Sequence, residues 1–324
     1  RELSGVHGVS AETVRRGLKL LEREGLLIAE PRQGFRVAVR PEGLKENVPI
    51  AYVTRHSPDL RNAQAANLAI SSCLQQACSS RGWSTLGAHS GGGDAAEVVG
   101  KLRAARAWGG VLDSLDEELV DGVRGAGFPV VMVNSWVEDC DVDVVLQDNY
   151  RGGFQAAQHL VETGCERIAW LGPVGGDCHS RERYAGAVAG MRAAGRRLEA
   201  DRVAETADGK ALAAARDLLR GDDRPDGVIV LWKGVAKALK AAAHEMGLFV
   251  GRDLQAVGWT TEEFYDLEHR AVFAGGRIPA AVTWKAAGMA EAALDRLDEI
   301  RRNGRGEPRR ILVPTRLRTN SGEA

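Results

Sequence analysis

From Ile50 to its end the chain repeats one alternation, in which a short run of apolar or β-branched residues is followed by a stretch with helical periodicity. The runs IAYVT (50–54), WSTLGA (83–88), GGVL (109–112), FPVVMV (128–133) and DVVL (143–146) read as strands. So do RIAWLG (167–172), GVIVL (227–231), LQAVGW (254–259) and ILVPTRL (311–317). Between them the spacing predicts helices over 60–80, 150–163, 180–194, 209–220, 233–246 and 280–302. Parallel strands need crossover connections of this length, and the crossovers cover both faces of the sheet. One such sheet of ordinary width does not absorb all of this, so two doubly wound lobes are expected.

Composition supports a folded chain. With 44% hydrophobic and 27% charged residues among 324, disorder, collagen-like and low-complexity classes are excluded. No run of about 18 apolar residues is present to span a membrane. Cys73, Cys78, Cys140, Cys165 and Cys178 are odd in number and scattered, without a CxxC pair or a zinc-ligand spacing, which points to idle thiols in a reducing compartment. With no apolar secretory segment at the start, the expectation is a cytosolic chain.

The net charge of -1 comes from 43 Lys+Arg against 44 Asp+Glu and conceals an asymmetry. Residues 1–47 hold nine basic and seven acidic residues, so that segment is +2 and the remainder -3. The stretch RPEGLKENVP (40–49) reads as a linker, which assigns 1–40 to a head and 41–48 to the connection. Within the head, Ser10 is a natural helix N-cap with Thr13 three residues on, and Val14, Leu18 and Leu21 share one helical face. LLIAE and FRVAV then form a hairpin around Pro31-Arg32-Gln33-Gly34.

These residues resemble the winged helix-turn-helix of the GntR regulators, whose signature is matched by Val9-Ser10-Ala11-Glu12-Thr13-Val14-Arg15-Arg16-Gly17-Leu18, by Leu21-Glu22-Arg23-Glu24-Gly25-Leu26-Leu27 and by Gly34-Phe35-Arg36-Val37. Ala11 and Gly17 depart from it, and Gly17 costs the helix about 1 kcal/mol relative to Ala. The match opens inside the motif, so the family's first helix is expected upstream of Arg1. The resemblance implies binding to double-stranded DNA. Ser10, Thr13, Arg15, Arg16 and Lys19 would face phosphates and base edges, and Arg32, Gln33 and Gly34 would form a wing tip for the minor groove. A solvated helix face is the alternative for the basic residues.

A second resemblance covers the body. Asp148-Asn149, His159-Leu160, Arg167-Ile168-Ala169-Trp170-Leu171-Gly172 and Arg183-Tyr184-Ala185-Gly186 are similar to the effector domain of the lactose/galactose repressor family, a relative of periplasmic sugar-binding proteins. A GntR head on such a body is the arrangement of arabinose-type repressors. The resemblance implies an α/β fold in which a small winged helix-turn-helix precedes two doubly wound parallel-sheet lobes of periplasmic-binding-protein-like type I. The first lobe is expected at 49–148 plus 276–307, the second at 149–275 plus 308–324. A sugar-like effector would lie between the lobes, with a homodimer reading a two-fold operator.

By position, Asp148 is expected to accept from ligand hydroxyls, with helix capping as its other reading. Arg183 is expected to reach into the cleft, or to be an ordinary surface residue. The loop from Arg55 to Asp59 would line the first lobe. Trp232-Lys233 stand where the family carries Asn-Asp, and Thr260 where it carries Asp, often with a second Asp at Thr261. That exchange moves the cleft toward positive charge, so Trp232 is expected as an apolar platform and Lys233 as a partner for a sugar acid or sugar phosphate; a solvent-facing Lys233 in a decayed site is the rival. Thr260 completes the expected lining.

Catalytic signatures are missing. Gly91-Gly92-Gly93-Asp94 lacks the remainder of a P-loop, Pro173 spoils a dinucleotide fingerprint in Leu171–Gly176, and His179-Ser180 is no nucleophile elbow. No cofactor, metal or catalytic residue is expected, and the chain reads as a repressor. A ligand-binding or sugar-processing protein that does not touch DNA is the alternative.

Overall fold

The computed structural model describes residues 10–23, 27–30, 34–37, 47–55, 65–90, 94–137, 141–206 and 209–319. The chain divides after Asn47 into two compact units. In the first, α1 (Ala11–Arg23) precedes a hairpin of β1 (Leu27–Glu30) and β2 (Gly34–Val37). Ser10 caps α1 as expected: its Oγ accepts from the Thr13 N–H at 3.1 Å and lies 2.8 Å from the Thr13 hydroxyl. The hairpin pairs Leu27 with Val37 and Glu30 with Gly34. Gly34 has φ 101°, a left-handed value that glycine adopts without strain.

The second unit, Val48–Ala324, contains two six-stranded sheets. The first sheet is built from β3 (Pro49–Thr54), β4 (Ser84–His89), β5 (Gly109–Asp113), β6 (Val130–Val133), β7 (Asp143–Gln147) and β13 (Arg310–Val313), in the order β13-β7-β6-β5-β3-β4. Every pairing in it is parallel. The second holds β8 (Ile168–Leu171), β9 (Val203–Ala204), β10 (Gly227–Val230), β11 (Gln255–Thr261), β12 (Ala280–Trp284) and β14 (Thr315–Arg318), in the order β14-β12-β11-β10-β8-β9. Only β14 runs antiparallel there.

Helices α2 (Ala65–Arg81), α3 (Ala95–Ala104) and α4 (Glu117–Gly125) serve the first sheet, and α5 (Asn149–Glu162), α6 (Cys178–Ala193), α7 (Ala211–Leu218) and α8 (Lys233–Glu245) the second. A last helix, α9 (Ala286–Asn303), returns to pack on α2. Strand parity explains the layers, because alternate residues face opposite sides. Ala51, Val53, Leu112 and Met132 meet Leu102 and Leu119 of α3 and α4 on one face, whereas Ile50, Tyr52, Val111 and Val131 meet Ile70 and Leu294 of α2 and α9 on the other. In the second sheet, Val228, Val230 and Ala256 meet Leu239 of α8, while Ile229, Val257 and Trp259 share a core with Leu160 of α5 and Met191 of α6. Sheets covered on both sides bury consecutive residues, as all of β5, β6, β7 and β12 do.

Two expectations about the C-terminal third are corrected. The helix expected over 280–302 begins at Ala286, because Val282, Thr283 and Trp284 are strand formers completing a buried β12. The strand expected over 311–317 is broken at Pro314, which has no N–H to give a ladder, so β13 and β14 join different sheets. The lobe boundaries move with them. Residues 280–284 sit in the second sheet instead of the first, and residues 310–313 in the first instead of the second. The chain therefore passes between lobes three times, after Gln147, after Trp284 and at Pro314. Two crossings lie side by side, the Asp148 N–H donating to the Val313 carbonyl at 2.9 Å. At the third, Glu263 accepts the Ala286 and Ala287 N–H groups at 3.1 and 3.0 Å and caps α9.

Candidate functional site

Backbone strain collects where strands end. Among the described residues, Ser114 (φ 57°), Asn134 (φ 61°) and Trp232 (φ 66°) follow β5, β6 and β10, and Arg106 (φ 53°) follows α3, in left-handed conformations that cost a non-glycine residue about 1 kcal/mol or more. Carboxyl ends of parallel strands are also where doubly wound folds bind ligands. At the end of β5, Asp113 is fully buried and accepts from Asn67 Nδ2 (2.7 Å), the Ser114 hydroxyl (2.9 Å) and the Tyr52 hydroxyl. Burial and then the Asp113 charge push the Tyr52 phenol well above its ordinary range, so it remains a donor. This cluster fixes the first lobe's strand ends.

Arg183 anchors the second lobe's side. Asp177 caps α6 by accepting from the Ser180 N–H at 2.8 Å, which sets the first turn and puts Arg183 in the second. Arg183 is 1% exposed. Its guanidinium carbon lies 4.1 Å from the Trp259 ring centroid and 4.7 Å from that of Trp232, within cation–π range of both indoles. Nε donates to Asn149 Oδ1 at 2.9 Å, and Nη1 has no hydrogen-bond partner. Asp177 and Glu182 act on it only as nearby charges. Burial pushes the guanidinium down to about 9, which still leaves it charged at neutral pH. Two desolvated cation–π contacts at about 2 kcal/mol each offset only part of the several kcal/mol that burying a cation costs.

Around Arg183 a polar chain connects the lobes. Asn149 Nδ2 donates to Glu182 Oε2 at 3.1 Å, and Glu182 Oε1 accepts from Trp136 Nε1 at 3.1 Å and from Arg310. Arg310 stacks over Trp136, 5.0 Å from its centroid. Trp136 follows β6 and Arg310 lies on β13, so Glu182 of the second lobe holds two residues of the first. His179 Nδ1 lies 3.1 Å from Gln147 Nε2 and 3.4 Å from Asn149 Nδ2. Burial first, then the Arg183 charge, hold the imidazole well below its ordinary 6.5, so Nδ1 accepts. Gln147 Oε1 is left without a partner.

Of the six expected cleft residues, the structure brings Arg183 and Trp232 together and gives Asp148, Lys233 and Arg55 partners outside that pair. Asp148 caps α5, accepting from the Arg151 N–H at 2.9 Å. Lys233 faces Glu268 at 3.5 Å instead of joining Arg183. Thr260 is 5% exposed and by strand parity lies on the opposite sheet face from Trp259, its hydroxyl unpartnered. Arg55 pairs with Asp116, the cap of α4, and residues 56–59 lie outside the described ones. In the head, Arg15 and Arg16 are 69% and 82% exposed, each 3.5 Å from Glu12; Lys19 is exposed too, and Arg32 and Gln33 fall outside the described residues. Asn149, His179, Glu182 and Trp259 were not foreseen. Helical spacing from Arg183 was the usable signal, because residues 179, 182 and 183 share one side of α6.

Residues 66–231 match the periplasmic binding proteins and sugar-binding domain of the LacI family, and residues 157–320 the periplasmic binding protein-like domain. The chain belongs to this family. Among relatives of this LacI-type domain, the HTH-type transcriptional repressor PurR of Actinobacillus pleuropneumoniae is 26% identical over 165 residues, 46% of this chain and 49% of that protein. The ribose operon repressor of Halalkalibacterium halodurans is 28% identical over 163 residues, 46% of this chain and 48% of that one. The chain thus matches about half the length of these curated relatives. Among solved structures, the transcriptional regulator CelR–cellobiose complex superposes with a TM-score of 0.71 at 23% identity, covering 96% of this chain and 90% of that one. No helix among the described residues is long and apolar enough to cross a membrane.

Proposed function

We propose that this chain is a transcription regulator, a repressor whose hold on a DNA operator is set by a small carbohydrate-like effector in the interlobe cleft. The observation that carries the reading is the placement of Arg183, a buried cation with a free donor, at the carboxyl ends of the second sheet and wired to the first lobe. LacI-type domains matched by this chain belong to repressors in the two relatives above. Binding, not turnover, is the chemistry such a site supports: it holds donors, acceptors and aromatic faces.

In this reading residues 1–40 are a GntR-type winged helix-turn-helix, 41–48 its linker, and the lobes follow the two sheets. The chain acts in the cytosol as a homodimer that sets two heads on two half-sites. Effector binding favours one lobe arrangement and shifts the heads with it; a coupling of about 1–3 kcal/mol is usual for such devices. Exposed Arg15, Arg16 and Lys19 supply phosphate and base contacts from α1, and Arg32, Gln33 and Gly34 the wing.

Selection of duplexes from a random pool, followed by gel shift, tests this directly. A recovered motif with two-fold symmetry is expected, with affinity falling steeply as salt rises. Arg16→Ala should weaken that complex by about tenfold, in line with 1–3 kcal/mol for a base contact, and leave the body's melting unchanged. Recovery of no motif would refute DNA binding and favour a ligand-binding protein of the same fold.

A further inference from the structure

The second sheet also carries a cavity at the amino ends of its strands, away from the cleft. It measures about 230 Å³, and its floor is apolar: Ile168 opens β8 and Met191 lies in the last turn of α6, each 2% exposed. Its walls are charged. Arg196, Arg197 and Glu199 come from the connection after α6, Arg202 from the residue before β9, and Glu166 from the approach to β8.

Three cations and two carboxylates thus line one cavity, and no ion pair joins them. Arg196 Nη1 donates to the Cys165 carbonyl, which leaves its Nε–Nη2 edge without a partner among the described residues. Arg202 gives Nη1 to the Asp223 carbonyl at 3.1 Å and Nη2 to the Asp223 carboxylate at 2.8 Å. Both guanidinium groups are therefore anchored in advance, so less freedom is lost when a ligand arrives. Arg197, Glu166 and Glu199 are exposed, and their side chains have no partner among the described residues. An anion such as phosphate would match the arginines and meet two carboxylates. A polyamine would match the carboxylates and meet three guanidinium groups. A molecule with one carboxylate and one ammonium matches both sets, and arginine binds carboxylates through charge-assisted, often bidentate bonds. The cavity is smaller than the roughly 300 Å³ at which pockets begin to take drug-sized ligands, so it suits a small metabolite.

We propose that this cavity binds a free α-amino acid, its carboxylate accepting from Arg196 and Arg197, its ammonium donating to Glu166 and Glu199, and its side chain lying over Ile168 and Met191. The site is separate from the interlobe cleft and does not depend on the effector reading. Doubly wound sheets bind their usual ligands at the carboxyl ends of the strands, whereas this cavity lies at the amino ends. One helix borders both places, because α6 carries Arg183 in its second turn and Met191 in its last.

Calorimetry on the full chain tests it with each of the proteinogenic amino acids in turn. For every one that binds, the acid lacking its amino group and the amine lacking its carboxylate are titrated beside it. The expected result is binding of at least one amino acid, with both analogues weaker by about tenfold or more, as the loss of a charged hydrogen-bonding group implies. Arg197→Ala and Glu199→Gln should each weaken that amino acid by about the same factor. Both side chains are exposed, so the melting temperature of either variant should match that of the parent chain. Silence from every amino acid overturns the proposal. So does a deaminated acid that binds as tightly as its parent, which would mark a plain anion site. Binding that ignores both substitutions also overturns it, because the amino acid then sits elsewhere on the chain. None of these outcomes bears on the duplex selection above, which tests the regulator reading by itself.

Discussion

Three histidines, His159, His179 and His269, are held below their ordinary pKa chiefly by burial, so each is neutral in the fold and ionises more readily when the chain unfolds. The unfolded state therefore binds more protons below pH 6.5, and stability present above that value is lost as pH falls toward the folded values. Each such histidine contributes at most about 1.4 kcal/mol per pH unit in that window. His269 is the cleanest probe: its Nε2 meets the Pro279 carbonyl at 2.8 Å, Tyr265 and Phe273 flank its ring, and Arg318 adds a like charge. Urea unfolding at pH 5.0 and 7.5 should show lower stability at pH 5.0, and His269→Gln should flatten that difference by about one proton. An unchanged slope in the variant would show that His269 titrates alike in both states. At this scale Arg183 was legible because its spacing to Gly186 belongs to a motif. Lys233 was misleading because its partner, Glu268, arrives from a segment thirty-five residues on, within a π-helical turn over Tyr265–Arg270. Linear proximity to Trp232 carried no information about that pairing.

Among the elements, α5 and α6 depend on close approach. A Cβ on Gly153 would lie 2.0 Å from the Arg183 carbonyl oxygen, and one on Gly186 would lie 2.0 Å from that of Tyr150. Both obstacles are helix backbone, so neither yields cheaply. Gly153→Ala should therefore cost at least the roughly 1–3 kcal/mol of ordinary overpacking and lower the melting temperature by several degrees. It should also displace Arg183, visible as altered tryptophan emission from the stack. Gly17→Ala, with open space at its Cβ, is the contrasting case. The doubly wound pattern was readable from apolar runs between helices, since sheets buried on both faces leave that signature in the chain. Boundaries in the last fifty residues were not, because Ala280 and Ala281 extend the alanine-rich texture of α9 into a strand that is defined by its pairing with β11 and β14.

For the molecule as a whole, lobe orientation rests on a few polar contacts laid over a continuous apolar layer. Glu182 is the hub, joining Arg310 and Trp136 of the first lobe to Asn149 and, through it, to Arg183. Glu182→Gln should loosen the lobes, raising the radius of gyration measured by small-angle scattering while leaving helix content unchanged. An unaltered scattering curve would assign lobe orientation to the apolar layer alone. That layer includes Ile70, Leu74, Trp284 and Met289, so it surrounds the crossings themselves.

The triple passage between lobes has a consequence for dissecting the protein. Neither lobe is a contiguous stretch of polypeptide. A fragment ending at Gln147 lacks β13, the edge strand that pairs with β7 along its whole length. A fragment starting at Asn149 carries β13 and α9 without the surfaces they cover. No single cut releases a finished half, and a ribosome must emit Val313 before the first sheet can close.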